Sequence, residues 1–215
     1  MTLIFPTTYF APIEYYYYLI QHTAHAEHTV FIEQNENYIK QSYRNRCSIY
    51  GANGKLNLII PVHKNAHHCL IKEVRICNEQ NWQKTHWRSI VAAYNSSPFF
   101  QYYDYELQPF YEKQFEFLID FNEQLQNKIL ELLNHKIFFL KTNSYFASQE
   151  IGIDLRNSIH PKNNNSTIVF RPYSQVFQDK FGFISNLSIL DLLFNLGNES
   201  KDYLKRLRSA ENGSF

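Results

Sequence analysis

The sequence predicts an α/β fold: a single domain with a mixed β-sheet, a βαβ start, a β-hairpin and packed helices. Three observations predict it. An apolar run at 2–5, an amphipathic stretch at 11–22 and a second apolar run at 29–33 are spaced as strand, helix, strand. Two strand-like runs flank the Asn53-Gly54 step, a strong turn signal. Residues 110–134 and 187–196 carry apolar positions at a 3.6-residue period.

Each element has a local reason. Thr2-Leu3-Ile4-Phe5 is continuously apolar and ends at Pro6, as a buried strand does. Pro12 suits a first helical turn, and Ile13, Tyr16, Tyr17 and Ile20 follow at helical spacing. Four consecutive tyrosines, Tyr15 to Tyr18, cannot all face inward, so at least one is expected at the surface. Residues 43–50 and 56–62 form the hairpin arms, and 71–76 reads as a further strand. Residues 82–95 read as a helix with Trp87, Ile90, Val91 and Tyr94 on one face, stopped by Ser96-Ser97-Pro98. After the helix over 110–134, residues 137–140 read as a short strand, 143–166 as an irregular polar segment, and 167–170 as a last strand. Residues 187–196 predict a buried helix that packs on the sheet and stops at Gly197; a short basic helix follows at 201–208. Residues 1–208 read as one domain, and 209–215 as a fraying tail.

Composition excludes several classes. Lys and Arg number 21 and Asp and Glu 20, so the net charge is +1, and there is no long basic stretch; nucleic-acid binding is disfavoured and any anion site must be local. An aromatic share of 17% is incompatible with disorder as the main state. The N-terminus lacks the pattern of a signal peptide, and no run is apolar enough to span a bilayer. With Cys47, Cys69 and Cys77 odd in number and no CxxC, a reduced cytoplasmic protein is expected. The 6 glycines form no GxGxxG, GxxxxGK[ST] or GxSxG motif, so no nucleotide cofactor is expected. His22, His25 and His28, or His63, His67, His68 and Cys69, match no ligand spacing, and no metal is expected.

The densest polar cluster runs from Glu33 to Arg46, directly after a predicted buried strand, where a rigid sheet edge gathers ligand sites. Arg44 and Arg46 flank Asn45, with Lys40 nearby. In a strand, residues two apart share a side, so both guanidinium groups can fork one phosphate or carboxylate. Glu33 or Glu36 is then expected within salt-bridge reach, or else an anion site open to solvent. Replacing both arginines by alanine is expected to leave the thermal melt nearly unchanged. The same cluster also reads as a solvated hairpin edge with guard charges. His86 shares a helix face with Trp82 and can act as a general base or satisfy a core polar group. Arg171 and Tyr173 follow the last strand, and Asp191 lies inside an apolar helix, facing outward or paired.

Taken in order, several segments resemble the WbqC-like family. They are Thr8-Tyr9-Phe10 with Tyr15, Ser42-Tyr43-Arg44-Asn45-Arg46, Pro61-Val62, Asn81-Trp82 to His86-Trp87, Tyr94 to Phe100, Tyr173 to Phe177, and Leu187 to Gly197. The resemblance spans about 3–197, and its last block and Asn-Arg element are the most specific parts. The family's opening loop is of the His-Gln-Pro-Asn-Tyr-Leu-Pro type. Here Phe5-Pro6-Thr7-Thr8-Tyr9-Phe10-Ala11 stands in its place, and the acidic pair after the second strand is only Glu33-Gln34.

The resemblance implies a place in surface-polysaccharide (O-antigen) assembly and an enzyme transferring an acyl or aminoacyl group, glycyl included, to a nucleotide-linked amino sugar. On that reading Arg44 and Arg46 hold phosphates, Asn45 and Glu33 orient hydroxyls, and His86 accepts the proton of the attacking amine. Tyr9, Lys40, Tyr43, Arg171 and Tyr173 complete the binding set. The alternative is a non-catalytic module that binds a sugar, a nucleotide or a partner protein, with tyrosines of the 15–18 run stacking on sugar rings. The absent first-loop histidine favours this alternative.

Overall fold

The structure, a computed structural model, describes residues 2–23, 29–147, 152–163 and 166–209. The predicted βαβ start is present. Strand β1 (Thr2–Pro6) leads into helix α1 (Ile13–Thr23) and then strand β2 (Thr29–Glu33), which pairs with β1 in parallel from Thr2↔Thr29 to Pro6↔Glu33. Leu3, Ile4 and Phe5 are fully buried, as a central parallel strand covered on both faces requires. Two short strands complete the sheet. β5 (Phe139–Lys141) joins β2 and β6 (Ile153–Asp154) joins β1, both in parallel, giving the order β5-β2-β1-β6. The chain moves outward from β1 to β2 to β5, then returns to the far side of β1. The loops after β1 and β6 therefore flank the reversal in strand order, where α/β sheets open a crevice.

The hairpin is β3 (Arg46–Gly51) with β4 (Gly54–Ile59), in register from Arg46↔Ile59 to Gly51↔Gly54. Its loop is Ala52-Asn53 rather than the Asn-Gly step itself. Neither loop residue has positive φ; Gly54 takes that conformation, at φ 94°, where the chain re-enters the strand. β3 packs against α2 (Trp82–Tyr94) and α6 (Ile189–Leu196). Helix α6 is buried almost throughout and touches α1, α3 (Phe100–Leu107) and α7 (Ser200–Arg206) as well as the hairpin. Ser188 caps it by accepting from Leu190 N, and the segment before it is stitched to the start of α1: Ile13 N donates to Leu187 O and Ile189 N to Ala11 O, both at 3.0 Å. Gly197, at φ 55°, ends α6, and an added Cβ there would meet the Phe99 ring at 2.5 Å.

Several expectations are corrected. Residues 71–76 form no strand; Ile71–Glu73 is a single 3₁₀ turn, and only isolated bridges, Val62↔Ile76 and Arg75↔Phe117, extend the pairing. The helix expected over 110–134 is α4, Leu118–Leu132. Residues before it form α3 and a 3₁₀ turn at Gln108–Tyr111, which Pro109 starts. The buried face of α2 is Trp82, His86, Ile90, Ala93 and Tyr94, while Trp87 and Val91 sit half-buried. The irregular 143–166 segment contains β6. Residues 168–169 form a strand, β7 (Ile168–Val169), in a separate antiparallel pair with β8 (Arg208–Ser209), so Ser209 is held rather than frayed; the remainder of the tail lies outside the described residues. Tyr15, Tyr16 and Tyr17 are buried and Tyr18 is half-buried, so the tyrosine run offers no open stacking platform. Helices α6 and α7 both pack against α1, which spacing along one helix does not reveal.

Candidate functional site

The first loop and the Glu33 loop lie side by side, because Pro6 pairs with Glu33 at the ends of β1 and β2. From there the predicted site residues separate into four places.

Glu33 is fully buried and its carboxylate is saturated. Oε1 accepts from Thr142 Oγ1 at 2.6 Å and from Asn35 N at 2.8 Å; Oε2 accepts from Phe146 N at 3.1 Å and Arg156 Nη1 at 3.2 Å. Arg156 follows β6 and also donates twice to Asp154, with Nε to Oδ1 at 2.9 Å and Nη2 to Oδ2 at 2.6 Å. Its guanidinium covers the Tyr145 ring at 4.5 Å. Beside this group Arg44 forms a two-pronged pair with Glu36, Nε to Oε1 at 2.7 Å and Nη2 to Oε2 at 2.6 Å, and Nη2 reaches Arg156 O at 3.3 Å. Arg44 is 2% exposed and Glu36 6%. These ion pairs lock the loops after β2 and β6 to one another across the reversal in strand order. Burial raises the Glu36 pKa, and the Arg44 guanidinium opposes that rise.

The expected fork is thereby divided. Arg44 lies in the turn before β3 and points into the Glu36 pair, whereas Arg46 is the first residue of β3, so the same-side rule for strands does not link them. Glu36 is within salt-bridge reach of Arg44, as one expectation had it. The expectation that both arginines are dispensable for stability is corrected for Arg44, whose removal would strand a buried carboxylate. Asn45 serves the backbone: its Nδ2 donates to Ile60 O at 2.8 Å, and Ile60 N donates to Asn45 O at 2.8 Å. Tyr43 is buried, and its carbonyl accepts from Tyr9 N at 2.9 Å, which ties the first loop to this segment.

The second place is the Tyr9–His86–Tyr111 group. Tyr9 Oη stands 3.0 Å from His86 Nδ1 and 2.7 Å from Tyr111 Oη. With the imidazole proton on Nε2, Tyr111 donates to Tyr9 and Tyr9 donates to Nδ1. Burial drives the His86 pKa down to about 4, against an opposing backbone contact at Ile59, so the ring is neutral at pH 7. Trp82 closes on the ring edge-on at 5.2 Å, and Tyr9 is fully buried. The group is inside the core, not at a surface.

The third place is a shallow cleft of about 370 Å³ at the start of β3, between the segments 38–41 and 62–66. Lys40, Arg46, His63 and Lys64 line it together with Tyr38 and Gln41, and no carboxylate does. Arg46 Nε is buried without a hydrogen-bond partner. The concentration of cations extends to His160, whose pKa falls through burial and then through Arg44, Lys162 and Arg46. Arg171 and Tyr173 occupy the fourth place, a groove they share with the acidic Glu199 and Asp202. There Tyr173 Oη donates to the buried Asp191 Oδ2 at 2.5 Å and Gln175 Nε2 donates to the same oxygen at 2.7 Å.

Tyr9 and His86 are thus brought together, and Lys40 joins Arg46; Glu33 and Arg44 share one ion network, while Arg171 and Tyr173 stand elsewhere. Sequence reading missed Arg156, Tyr111 and Lys64. Arg156 sat in a segment read as irregular, Tyr111 in one read as regular helix, and Lys64 has no motif. Among the described residues no group of three His, Cys, Asp or Glu side chains is placed to hold a metal ion, and His25 and His28 lie outside the described residues. The described cysteines are free, and no helix among the described residues is long and apolar enough to cross a membrane.

A family model described as the WbqC-like protein family matches residues 8–168. The block at 187–197 that carries much of the resemblance lies beyond that span. The uncharacterized protein Rv1507c of Mycobacterium tuberculosis (strain ATCC 25618 / H37Rv) is 28% identical over 200 residues, covering 80% of this chain and 85% of its own. No solved structure matches the chain.

Proposed function

The chain belongs to the WbqC-like protein family, and from that premise we propose that it binds a nucleotide-linked amino sugar of surface-polysaccharide assembly in the cytoplasm, holding the phosphates in the Lys40–Arg46–Lys64 cleft. The observation that carries this reading is the cleft itself: three fixed cations and His63 around about 370 Å³, no lining carboxylate, and a buried Arg46 Nε with no partner. Such an orphaned donor is satisfied by an anion, and the unopposed positive field draws one in. Arg44 supports the site indirectly by fixing the turn that precedes Arg46.

Titration calorimetry with UDP-N-acetylglucosamine tests it. Wild type is expected to bind, with affinity falling as salt rises. The triple variant Lys40→Ala/Arg46→Ala/Lys64→Ala is expected to lose at least tenfold with an unchanged melt. Equal affinity in the two proteins would end this reading.

A second reading has an observation of its own. His86 is neutral at pH 7 and bonded to Tyr9, which is bonded in turn to Tyr111, so its Nδ1 carries no proton, as a proton acceptor requires. On this reading the packing over the buried Tyr9 opens to the amine of the bound sugar; the amine attacks the acyl or glycyl carbonyl, its proton passes through Tyr9 to His86, and the donor's thiol or tRNA hydroxyl leaves with that proton. Incubation of an amino-sugar nucleotide with acyl-thioester and aminoacyl-tRNA donors, read by mass spectrometry, checks it. Wild type should add one acyl group and His86→Gln none; no product with either donor class leaves binding alone.

A further inference from the structure

A second cavity, separate in its lining from the cationic cleft, lies at the carboxyl ends of β1 and β2. It is closed by α4 and by the segment that leads into β5, and its volume is about 140 Å³. Two of its lining side chains hold buried polar atoms without partners, Asn122 Oδ1 and Gln126 Nε2; a third, Thr8 Oγ1, has only the neighbouring Tyr15 hydroxyl. Thr8 is 4% exposed, Asn122 1% and Gln126 8%. Native interiors satisfy nearly all buried polar groups.

Their orientations are fixed by the bonds they do make. Asn122 Nδ2 donates to Arg44 O at 2.8 Å, so its oxygen is the atom left over. Gln126 Oε1 accepts from Tyr16 Oη at 2.9 Å, so its amide N–H₂ is left over. Thr8 Oγ1 stands beside the Tyr15 hydroxyl, which is directed to Pro6 O at 3.4 Å. Residues 122 and 126 are four apart on α4 and therefore share a face. The cavity thus offers one acceptor, one donor and one hydroxyl that can be either.

Size and charge narrow the occupant. The volume is close to that of an engineered cavity of about 150 Å³ that takes benzene. The charges at its rim, Glu123 and Lys141, are paired with each other at 2.7 Å, so neither an anion nor a cation is favoured. Ile32, Ile119 and Ile137 give it apolar walls, and Phe138, 90% exposed, adds an open ring to the lining. We infer that this cavity binds an uncharged six-membered ring bearing a hydrogen-bond donor and an acceptor on adjacent atoms. A pyrimidine lactam edge and a pyranose diol share that chemistry: each presents an N–H or O–H to Asn122 Oδ1 and an oxygen to Gln126 Nε2.

The inference does not depend on the cationic cleft, and the experiment keeps the two apart. Uracil and methyl glucopyranoside are titrated against the full chain by NMR chemical-shift perturbation, with 1,3-dimethyluracil, which lacks both ring donors, and benzene as controls. At least one of the first two is expected to shift α4 and first-loop signals, and the one that does identifies the source of the ring. Thr8→Val, which keeps the side-chain shape, and Gln126→Glu, which keeps the acceptor for Tyr16 but replaces the donor, should each weaken that binding at least tenfold. The Lys40→Ala/Arg46→Ala/Lys64→Ala variant should bind as wild type does. Absence of shifts with both ring probes, which would leave a water-filled space, overturns the inference. So does equal binding of 1,3-dimethyluracil where uracil is the ligand, of benzene, or by the two cavity variants.

Discussion

Arg44→Ala should lower the unfolding free energy by about 3–5 kcal/mol, the usual cost of removing one partner from a buried ion pair. Glu36 would remain at 6% exposure without its ion-pair partner, its pKa raised by burial and by Glu33 and opposed only by Arg156, which is committed to Glu33 and Asp154. The sign of the pH dependence follows. A carboxyl whose folded pKa is raised contributes stability below its unfolded pKa and loses it as pH rises through the folded value. Removing Arg44 raises that folded value further, so the deficit should be large at pH 7 and smaller near pH 4. Arg44→Leu/Glu36→Leu should recover much of the loss, because a buried ion pair is often replaceable by apolar side chains of similar volume. Arg46→Ala, at a half-buried position without a salt bridge, should stay within about 0.5 kcal/mol. Urea unfolding of the four proteins at two pH values measures all of this. A loss below about 1 kcal/mol for Arg44→Ala would mean that water reaches Glu36 and the pair is not structural.

The second large effect belongs to Asp191. It is fully buried in α6, and burial pushes its pKa from 3.8 up to about 6, partly offset by hydrogen bonds from Tyr173 and Gln175. Since the folded pKa is the higher one, folding favours the protonated acid. The contribution is complete below about pH 3.8 and is lost as pH rises through about 6. A shift of that size corresponds to about 3 kcal/mol. Wild type should therefore lose about 2 kcal/mol relative to Asp191→Asn between pH 4 and pH 7, because asparagine keeps an acceptor for Tyr173 without acquiring charge. Guanidinium titrations of both proteins across that range check it. Parallel pH profiles would place solvent or an unseen cation at the carboxylate.

The contrast between Arg44 and Arg46 shows where sequence reading ends. Both were visible as candidates, and one strand rule made them neighbours on one face. That rule holds only inside a strand, and the first of the pair falls in the preceding turn, so tertiary contacts sent one inward to Glu36 and left the other at the cleft. His86 was legible as the partner of Trp82 because i, i+4 spacing is local. Its true hydrogen-bond partner, Tyr9, is 77 positions away, and Tyr111 is farther still from Tyr9. The orphaned amides of α4 were not legible at all, since Asn122 and Gln126 read as polar residues on an amphipathic helix until Arg44 and Tyr16 took one end of each.

What the sequence by itself determined is the set of elements whose information is local. The runs of β1 and β2, the helical period of α1, α4 and α6, and the hairpin around Gly54 depend on periodicity and on glycine and proline chemistry, which act over a few residues. Only the tertiary structure decided the rest. Strand β5 was legible as the short run at 137–140, but β6, in a segment read as irregular, is set by the β1 edge already present in the sheet and not by its own composition. Likewise, the pairing of Glu33 and the ionisation of Glu36, His86 and Asp191 depend on burial and on partners brought from distant parts of the chain, and burial of a charge is a property of the packed molecule that no window of sequence contains.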